Sequence, residues 1–192
     1  MSNVWTYNIE RGSNTKLRGL IAEEYVRYTL LTHFPLLVIR PTRAVKILEI
    51  NAISGEYAQF LKHYEQTMDF LGIGPIPKEE KAPFSTDEII INYFYKLGGL
   101  NQFFHQLEWI EKLDGFMIEV KSRTFTNALS PFSYSLSDKQ KEMLNFGKKL
   151  GLKVILGGVT FEPNWKLSVM FTNEFGTIIG SNGFLKVNND LS

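Results

Sequence analysis

An Asp-Gly pair at positions 114 and 115, set between two apolar-rich runs, restricts the fold of this 192-residue chain more than any other feature of its sequence. Such a pair is typical of the two-residue turn that joins antiparallel strands. We therefore predict a β-hairpin whose strands cover about 103–113 and 116–121.

The predicted hairpin gathers two carboxylates and one ammonium group. With Asp114 and Gly115 as the turn, Glu108 lies opposite Lys121. Side chains alternate along a strand, so Glu119 shares their face. Two acids supply the oxygen ligands that Mg²⁺ and Mn²⁺ prefer, and a neighbouring lysine can stabilise charge on a transferring phosphate. The pattern predicts phosphodiester hydrolysis, and the alternative interpretation is a solvated strand face with a weak ion pair.

Apolar periodicity and capping signals predict the other elements. In chain order they are a helix from Asn14 or Thr15 to about Thr32, a buried strand over 35–39, a helix over 56–71, a loop over 72–81, a helix starting at Ser85, a helix from Ser137 to Gly151, a strand over 153–160, an apolar run over 167–171 and a hairpin turn at 181–183. This order predicts a single α/β domain over residues 1–192, with an irregular helical insertion at about 41–100.

Composition excludes several kinds of chemistry. The chain has no cysteine, so disulfides, thiolate zinc sites and cysteine nucleophiles are ruled out. Its net charge of +1 is unlike that of a protein that coats DNA, although it permits a local basic groove. The sequence shows no signal-peptide pattern and no apolar stretch of about 18 residues, so we expect a cytoplasmic protein without a membrane segment.

Four segments, in chain order, resemble those of a known superfamily. They are Arg18-Gly19-Leu20-Ile21-Ala22-Glu23, the run from Leu107 to Ser122, Ser137-Asp138-Lys139-Gln140, and Lys153-Val154-Ile155-Leu156. Together they resemble the PD-(D/E)XK nucleases, and within them the archaeal Holliday junction resolvases, over roughly 15–40 and 103–160. At the first hairpin acid this chain has Leu107-Glu108, where the superfamily usually has Asp, often after Pro.

The resemblance implies a restriction-endonuclease-like fold, in which helices flank a mixed central sheet and the insertion follows the first helix and strand. It also implies roles for single residues. Glu108 and Glu119 would bind Mg²⁺ or Mn²⁺ together with the carbonyl of Val120. Lys121 would act on the attacking water.

Two further catalytic residues are implied in the same way. Glu23 on the first helix would complete the site, and Gln140 would lie at its edge. Each has a structural alternative, because Glu23 could pair with Arg27 one helical turn later. Ser137 and Gln140 also match a capping box, which explains both without catalysis.

The resemblance implies DNA as the partner, a two-fold homodimer and no organic cofactor. Basic residues beside the matched segments could contact phosphates or could simply be solvated, and they are Lys16, Arg18, Arg123 and Lys139. The first hypothesis is a Mg²⁺-dependent endonuclease for branched or structured DNA, acting in recombination or repair. The alternatives are a catalytically inert DNA-binding or assembly protein with the same fold, and a sequence-specific restriction-type nuclease.

Overall fold

The computed structural model describes residues 3–76, 85–97, 108–124, 135–161, 167–173 and 178–181, and the side chains of all of these except 3–13, 108, 109 and 178–181. The helices are α1 (Asn3–His33), α2 (Pro41–Ile50), α3 (Glu56–Tyr64), α4 (Thr86–Leu97), α5 (Glu108–Glu111) and α6 (Asp138–Lys149). The strands are β1 (Leu37–Ile39), β2 (Phe70–Gly74), β3 (Asp114–Thr124), β4 (Lys153–Phe161), β5 (Leu167–Thr172) and β6 (Ile178–Ser181).

The described strands form one mixed sheet in the order β1-β2-β3-β4-β5-β6. β3 and β4 are parallel, and every other neighbouring pair is antiparallel. Parallel neighbours need a long connection, and α6 lies in the segment between β3 and β4. The strands β2 and β3 are buried over most of their length, as expected for a sheet that helices cover on both faces.

Alternating residues of β3 separate two apolar cores. Phe116 and Ile118 pack with Val26 and other residues of α1 on one face of the sheet. Met117 packs on the opposite face, in a larger core to which α2, α3, α4 and α6 contribute. The prediction of an α/β domain with a mixed sheet between helices is therefore confirmed. None of the described helices combines the length and apolar character needed to cross a membrane.

Two glycines let helices approach the sheet closely. A Cβ atom on Gly147 of α6 would lie 2.2 Å from the sulfur of Met117, and one on Gly157 of β4 would lie 3.0 Å from Val26 of α1. The missing side chains therefore set how near α6 and α1 lie to β3 and β4, which matters because both helices carry residues of the candidate site.

The predicted hairpin at 114–115 is wrong. Asp114 and Gly115 are the first residues of β3, and the antiparallel neighbour of β3 is β2, which pairs Gly74 with Asp114 and Phe70 with Ile118. Residues 101–107 lie outside the described residues, and Glu108 begins the short helix α5. The local turn signal was overridden because an apolar run about 40 residues upstream offers β3 a fully buried partner.

Several predicted boundaries also change. α1 begins at Asn3, so Asn14 and Thr15 lie inside the helix and do not cap it. The helix predicted over 56–71 ends at Tyr64, and β2 occupies residues assigned to that helix and to the following loop. The segment 41–100 therefore contains a strand of the central sheet as well as helices. The turn predicted at 181–183 lies largely outside the described residues, since β6 ends at Ser181.

The remaining elements agree with the sequence. β1, α4, α6 and β4 lie where they were predicted. Ser85 and Glu88 form reciprocal hydrogen bonds at the start of α4, and Ser137 and Gln140 form a complete capping box at the start of α6. These elements are signalled by residues three positions apart, so local sequence is sufficient to place them.

Candidate active site

Two acids meet where β2 begins, and both come from neighbouring strands. Asp69 immediately precedes β2, in which Phe70 pairs with Ile118. One further antiparallel step places Asp69 beside Glu119, and the same alternation puts Lys121 on the face of Glu119. A carboxylate pair with a lysine two residues along the strand is thus formed by β2 and β3.

Asp69 is tied to the backbone of β3. Its Oδ2 atom accepts a hydrogen bond from the amide of Val120 at 2.7 Å. Burial raises the pKa of the Asp69 carboxyl to about 6, although the Val120 amide opposes this shift, and the nearby charge of Glu23 raises the pKa further. This carboxylate is therefore fixed in place and costly to ionise.

Glu119 is the most enclosed acid of the site, with no solvent exposure. Its Oε2 accepts a hydrogen bond from Nε2 of Gln140 at 2.5 Å, whereas its buried Oε1 has no hydrogen-bond partner among the described residues. Burial, followed by the charge of Asp69, raises the pKa of Glu119 to about 8, while Lys121 acts in the opposite direction. A buried carboxylate oxygen without a partner is energetically costly unless a proton or a cation satisfies it.

Gln140 links three parts of the site. Its Oε1 accepts hydrogen bonds from Nζ of Lys121 at 3.1 Å and from the backbone amide of Ser137 at 3.0 Å. Its Nε2 donates to Glu119. Both interpretations of Gln140 are therefore satisfied by one side chain, which completes the cap of α6 and also holds Lys121 and Glu119.

Glu23 reaches the site from α1 and is paired with Arg40, which directly follows β1. The Arg40 guanidinium lies 2.6 Å from Glu23 and 3.2 Å from Glu24, and it stacks over the ring of Phe70 at 4.3 Å. The predicted alternative pairing of Glu23 with Arg27 is wrong, because Arg27 pairs with Glu24 at 2.9 Å. Arg40 thus places a half-buried cation beside the acids.

The structure brings together most of the residues that the sequence singled out. Glu23, Glu119, Lys121 and Gln140 are joined by hydrogen bonds, ion pairs or electrostatic influence on the pKa of Asp69. Glu108 is the exception, because it begins α5 and takes no part in the pairing of β3, and its side chain lies outside the described part. Asp114 pairs with Lys153 at 2.6 Å, away from this group.

Asp69 and Arg40 were missed by the sequence analysis. Each borders a buried strand, since Arg40 follows β1 and Asp69 precedes β2. A charged residue at the end of an apolar run is a weak signal by itself, because most such residues are solvated. The run Phe70-Leu71-Gly72-Ile73 after an acid was the available clue.

The four predicted DNA contacts have different settings. Arg18 donates a hydrogen bond to Thr124 at 3.0 Å, and Arg123 donates one to Thr160 at 3.2 Å, so both lie near the end of β3 that follows Lys121. Lys16 and Lys139 are exposed on α1 and on the first turn of α6. None of the four has a geometry that by itself identifies a phosphate.

The site fits a divalent cation through two side chains. No group of three or more His, Cys, Asp or Glu side chains is arranged to hold a metal ion in the described ranges. The donors present are Asp69 and Glu119, whose carboxyl pKa values are both raised and whose charges repel each other. Mg²⁺ commonly keeps several waters and uses only one or two carboxylates, so this donor set suits it.

Comparison with known proteins finds no match to a family model, to a curated protein or to a solved structure. A functional interpretation therefore depends on the geometry and chemistry of the site.

Proposed function

We propose that this protein is a Mg²⁺- or Mn²⁺-dependent nuclease that hydrolyses phosphodiester bonds in DNA and has the restriction-endonuclease-like fold. The observation that carries the proposal is the buried Oε1 of Glu119, which lacks a partner among the described residues and lies beside a second acid, Asp69. A protein retains such an arrangement at a cost to its stability, and ligation of a cation is a chemical reason to do so.

In this proposal Asp69 and Glu119 are the side-chain ligands, with the carbonyl of Val120 beside them. The resemblance suggested Glu108 for one of these roles, and the sheet register supports Asp69 instead. When bound, the cation supplies charge neutralisation for a phosphate and lowers the pKa of a coordinated water. Gln140 keeps the carboxylate of Glu119 oriented through its 2.5 Å hydrogen bond.

Lys121 is the residue that contacts the reacting group. Its ammonium group is held at 3.1 Å by Gln140 and is half-buried on the face of Glu119. From there it can donate a hydrogen bond to the attacking water or to a phosphate oxygen, where negative charge develops during the reaction. The hydrogen bond to Gln140 limits its rotamers, which favours a fixed attack geometry.

Arg40 and Glu23 form the outer part of the site. Arg40 is 40% exposed, so its guanidinium can exchange the carboxylate of Glu23 for a phosphate oxygen of the substrate. Glu23, once released, can accept a hydrogen bond from a water near the acid pair. DNA is the expected substrate because Arg18 and Arg123 lie beyond Lys121 along β3, where a phosphate backbone could follow.

The experiment combines metal binding with cleavage. Calorimetric titration with Mn²⁺ and Mg²⁺-dependent cleavage of labelled junction, flap and duplex DNA are compared for the intact protein, Asp69→Asn, Glu119→Gln and Lys121→Ala. We expect both acid variants to lose metal binding and at least about 100-fold in cleavage rate, and Lys121→Ala to bind metal but to cleave at a similarly reduced rate.

Two matched variants test the position of the acids. Asp114→Asn removes an acid from the same strand outside the site, and Glu108→Gln removes the acid that the hairpin prediction favoured. Both should bind Mn²⁺ and cleave like the intact protein. Loss of metal binding in Glu108→Gln with retention in Asp69→Asn would contradict the assignment.

A catalytically inert relative is the second candidate. It is favoured by the ion pair that occupies Glu23 and by the presence of two, not three, acids among the described side chains. Such a protein would show no Mg²⁺-dependent rise in melting temperature, whereas saturation at 100 times the Kd stabilises a binding protein by about 2.7 kcal/mol. The melting temperature with and without Mg²⁺ separates the two candidates.

A further inference from the structure

The outer face of α1 carries a row of exposed apolar side chains. Leu17 is 51% exposed, Leu20 48%, Tyr28 65% and Leu31 41%. On a helix with 100° per residue these four lie within about 80° of one another, opposite the buried Val26. Scattered apolar residues on a surface are ordinary, but four aligned over about 21 Å of one helix form a contact surface. We call these four residues the α1 stripe.

The α1 stripe is symmetric about Glu24. Leu17 and Leu31 lie seven residues before and after Glu24, and Leu20 and Tyr28 lie four residues before and after it. If two copies of α1 pack antiparallel around a two-fold axis at Glu24, Leu17 faces Leu31 of the second copy and Leu20 faces Tyr28. A two-fold contact requires a surface that is complementary to itself, and this spacing provides it.

The charges at the centre of the stripe fit the same arrangement. Glu24 is bonded to Arg27 at 2.9 Å and to Arg40 at 3.2 Å, so the two Glu24 carboxylates near the axis would be neutralised within each chain. Arg27 is 41% exposed and lies one turn from the axis, within reach of the Glu24 of a second copy. A lipid surface fits less well, since an acid at the centre of the apolar face opposes insertion.

We propose that the α1 stripe is the interface of a two-fold homodimer in which two α1 helices pack antiparallel about Glu24. The contact leaves the acid pair accessible, because Glu23 lies about 100° further round the helix, toward the sheet. The inference does not depend on metal binding or on nuclease activity. A single helix pair is smaller than a standard interface, so we expect dissociation in the micromolar range.

The first test is the concentration dependence of mass, by sedimentation velocity, over the low- to high-micromolar range. The intact protein should shift from monomer to dimer. Leu20→Glu with Tyr28→Glu should raise the dimer dissociation constant by about 100-fold or more, because each places a charge against an apolar partner. The matched control is Ile50→Glu, which alters a 72% exposed apolar residue on α2 and should leave the dimer unchanged.

The second test reads the register. The chain has no cysteine, so introduced cysteines report their own neighbours. A mixture of Leu20→Cys and Tyr28→Cys chains should cross-link under mild oxidation, as should Leu17→Cys with Leu31→Cys, whereas Leu20→Cys alone or with Ile50→Cys should not. Monomer at every concentration, a dimer unaffected by the Leu20 and Tyr28 changes, or cross-linking in a different pairing would overturn the proposal.

Discussion

Glu119 shows how one residue can carry a functional hypothesis. The same motif on an exposed strand would be an ordinary ion pair with Lys121. In this fold the carboxylate has no exposure, one oxygen is held by Gln140, and the other has no partner among the described residues. Its raised pKa follows from this burial and from the neighbouring charge of Asp69.

Gln140 offers a test of how the site is held together. In Gln140→Ala the hydrogen bonds to Glu119, Lys121 and the Ser137 amide are lost, and the buried carboxylate loses its donor. We expect a loss of about 1–3 kcal/mol in the free energy of unfolding, measured by urea titration. Lys139→Ala is the control, because it alters an exposed neighbour on the same turn and should change stability by less than about 0.5 kcal/mol. Equal stability of the two variants would show that Gln140 does not support the site.

Sequence identified the residues whose signals are local. Glu119 and Lys121 are two apart on a strand, and Gln140 is three from its cap, so their grouping could be predicted without knowing the sheet. Asp69 could not be found in this way, since its proximity to Glu119 depends on strand pairing across 50 residues. Arg40 depends on the same long-range packing, because it reaches Glu23 from the end of β1.

At the level of elements, the same distinction explains the errors. The capping boxes placed α4 and α6 correctly, whereas the turn at Asp114-Gly115 was overridden by the pairing of β2 with β3. Turn propensity is worth little beside the burial of a five-residue strand whose every residue is enclosed. Strand partners are set by which apolar runs can be buried together, which local patterns do not encode.

The contact between α6 and β3 gives a prediction about packing. In Gly147→Ala the new methyl group would meet the side chain of Met117 at 2.2 Å, which forces Met117 or α6 to move. We expect the free energy of unfolding to fall by about 1–3 kcal/mol in urea titration. Gly19→Ala is the control, because a Cβ there has no atom within 4 Å, and removing a helical glycine should stabilise by about 0.5–1 kcal/mol. A neutral Gly147→Ala would mean that the contact is looser than the structure indicates.

For the whole molecule, the site is a product of the complete fold. Its residues come from α1, the end of β1, the start of β2, β3 and the cap of α6, and they meet at one end of the sheet. The net charge of +1 gives no indication of this local collection of acids and cations. Because the acids are forced together only in the folded state, their ionisation must influence global stability.

Stability should therefore fall as pH rises in the absence of metal. The folded-state pKa values of Asp69 and Glu119 are raised from 3.8 to about 6 and from 4.5 to about 8. Between pH about 4 and about 8 the folded protein thus binds more protons at these groups than the unfolded chain, so their contribution is complete below pH 4 and is lost through pH 8. Urea unfolding of the intact protein and of Glu119→Gln, at several pH values, isolates this effect.

The expected outcome is that Glu119→Gln gains stability relative to the intact protein as pH rises from 5 to 8, while Asp114→Asn follows the intact protein throughout. Adding Mg²⁺ should stabilise the intact protein more at pH 8 than at pH 5, since the cation competes with the protons held by the acid pair. The cation should have no such pH-dependent effect on Glu119→Gln. Parallel profiles for the intact protein and Glu119→Gln would mean that the acid pair ionises freely in the folded state, and the physical reason for placing a cation there would be lost.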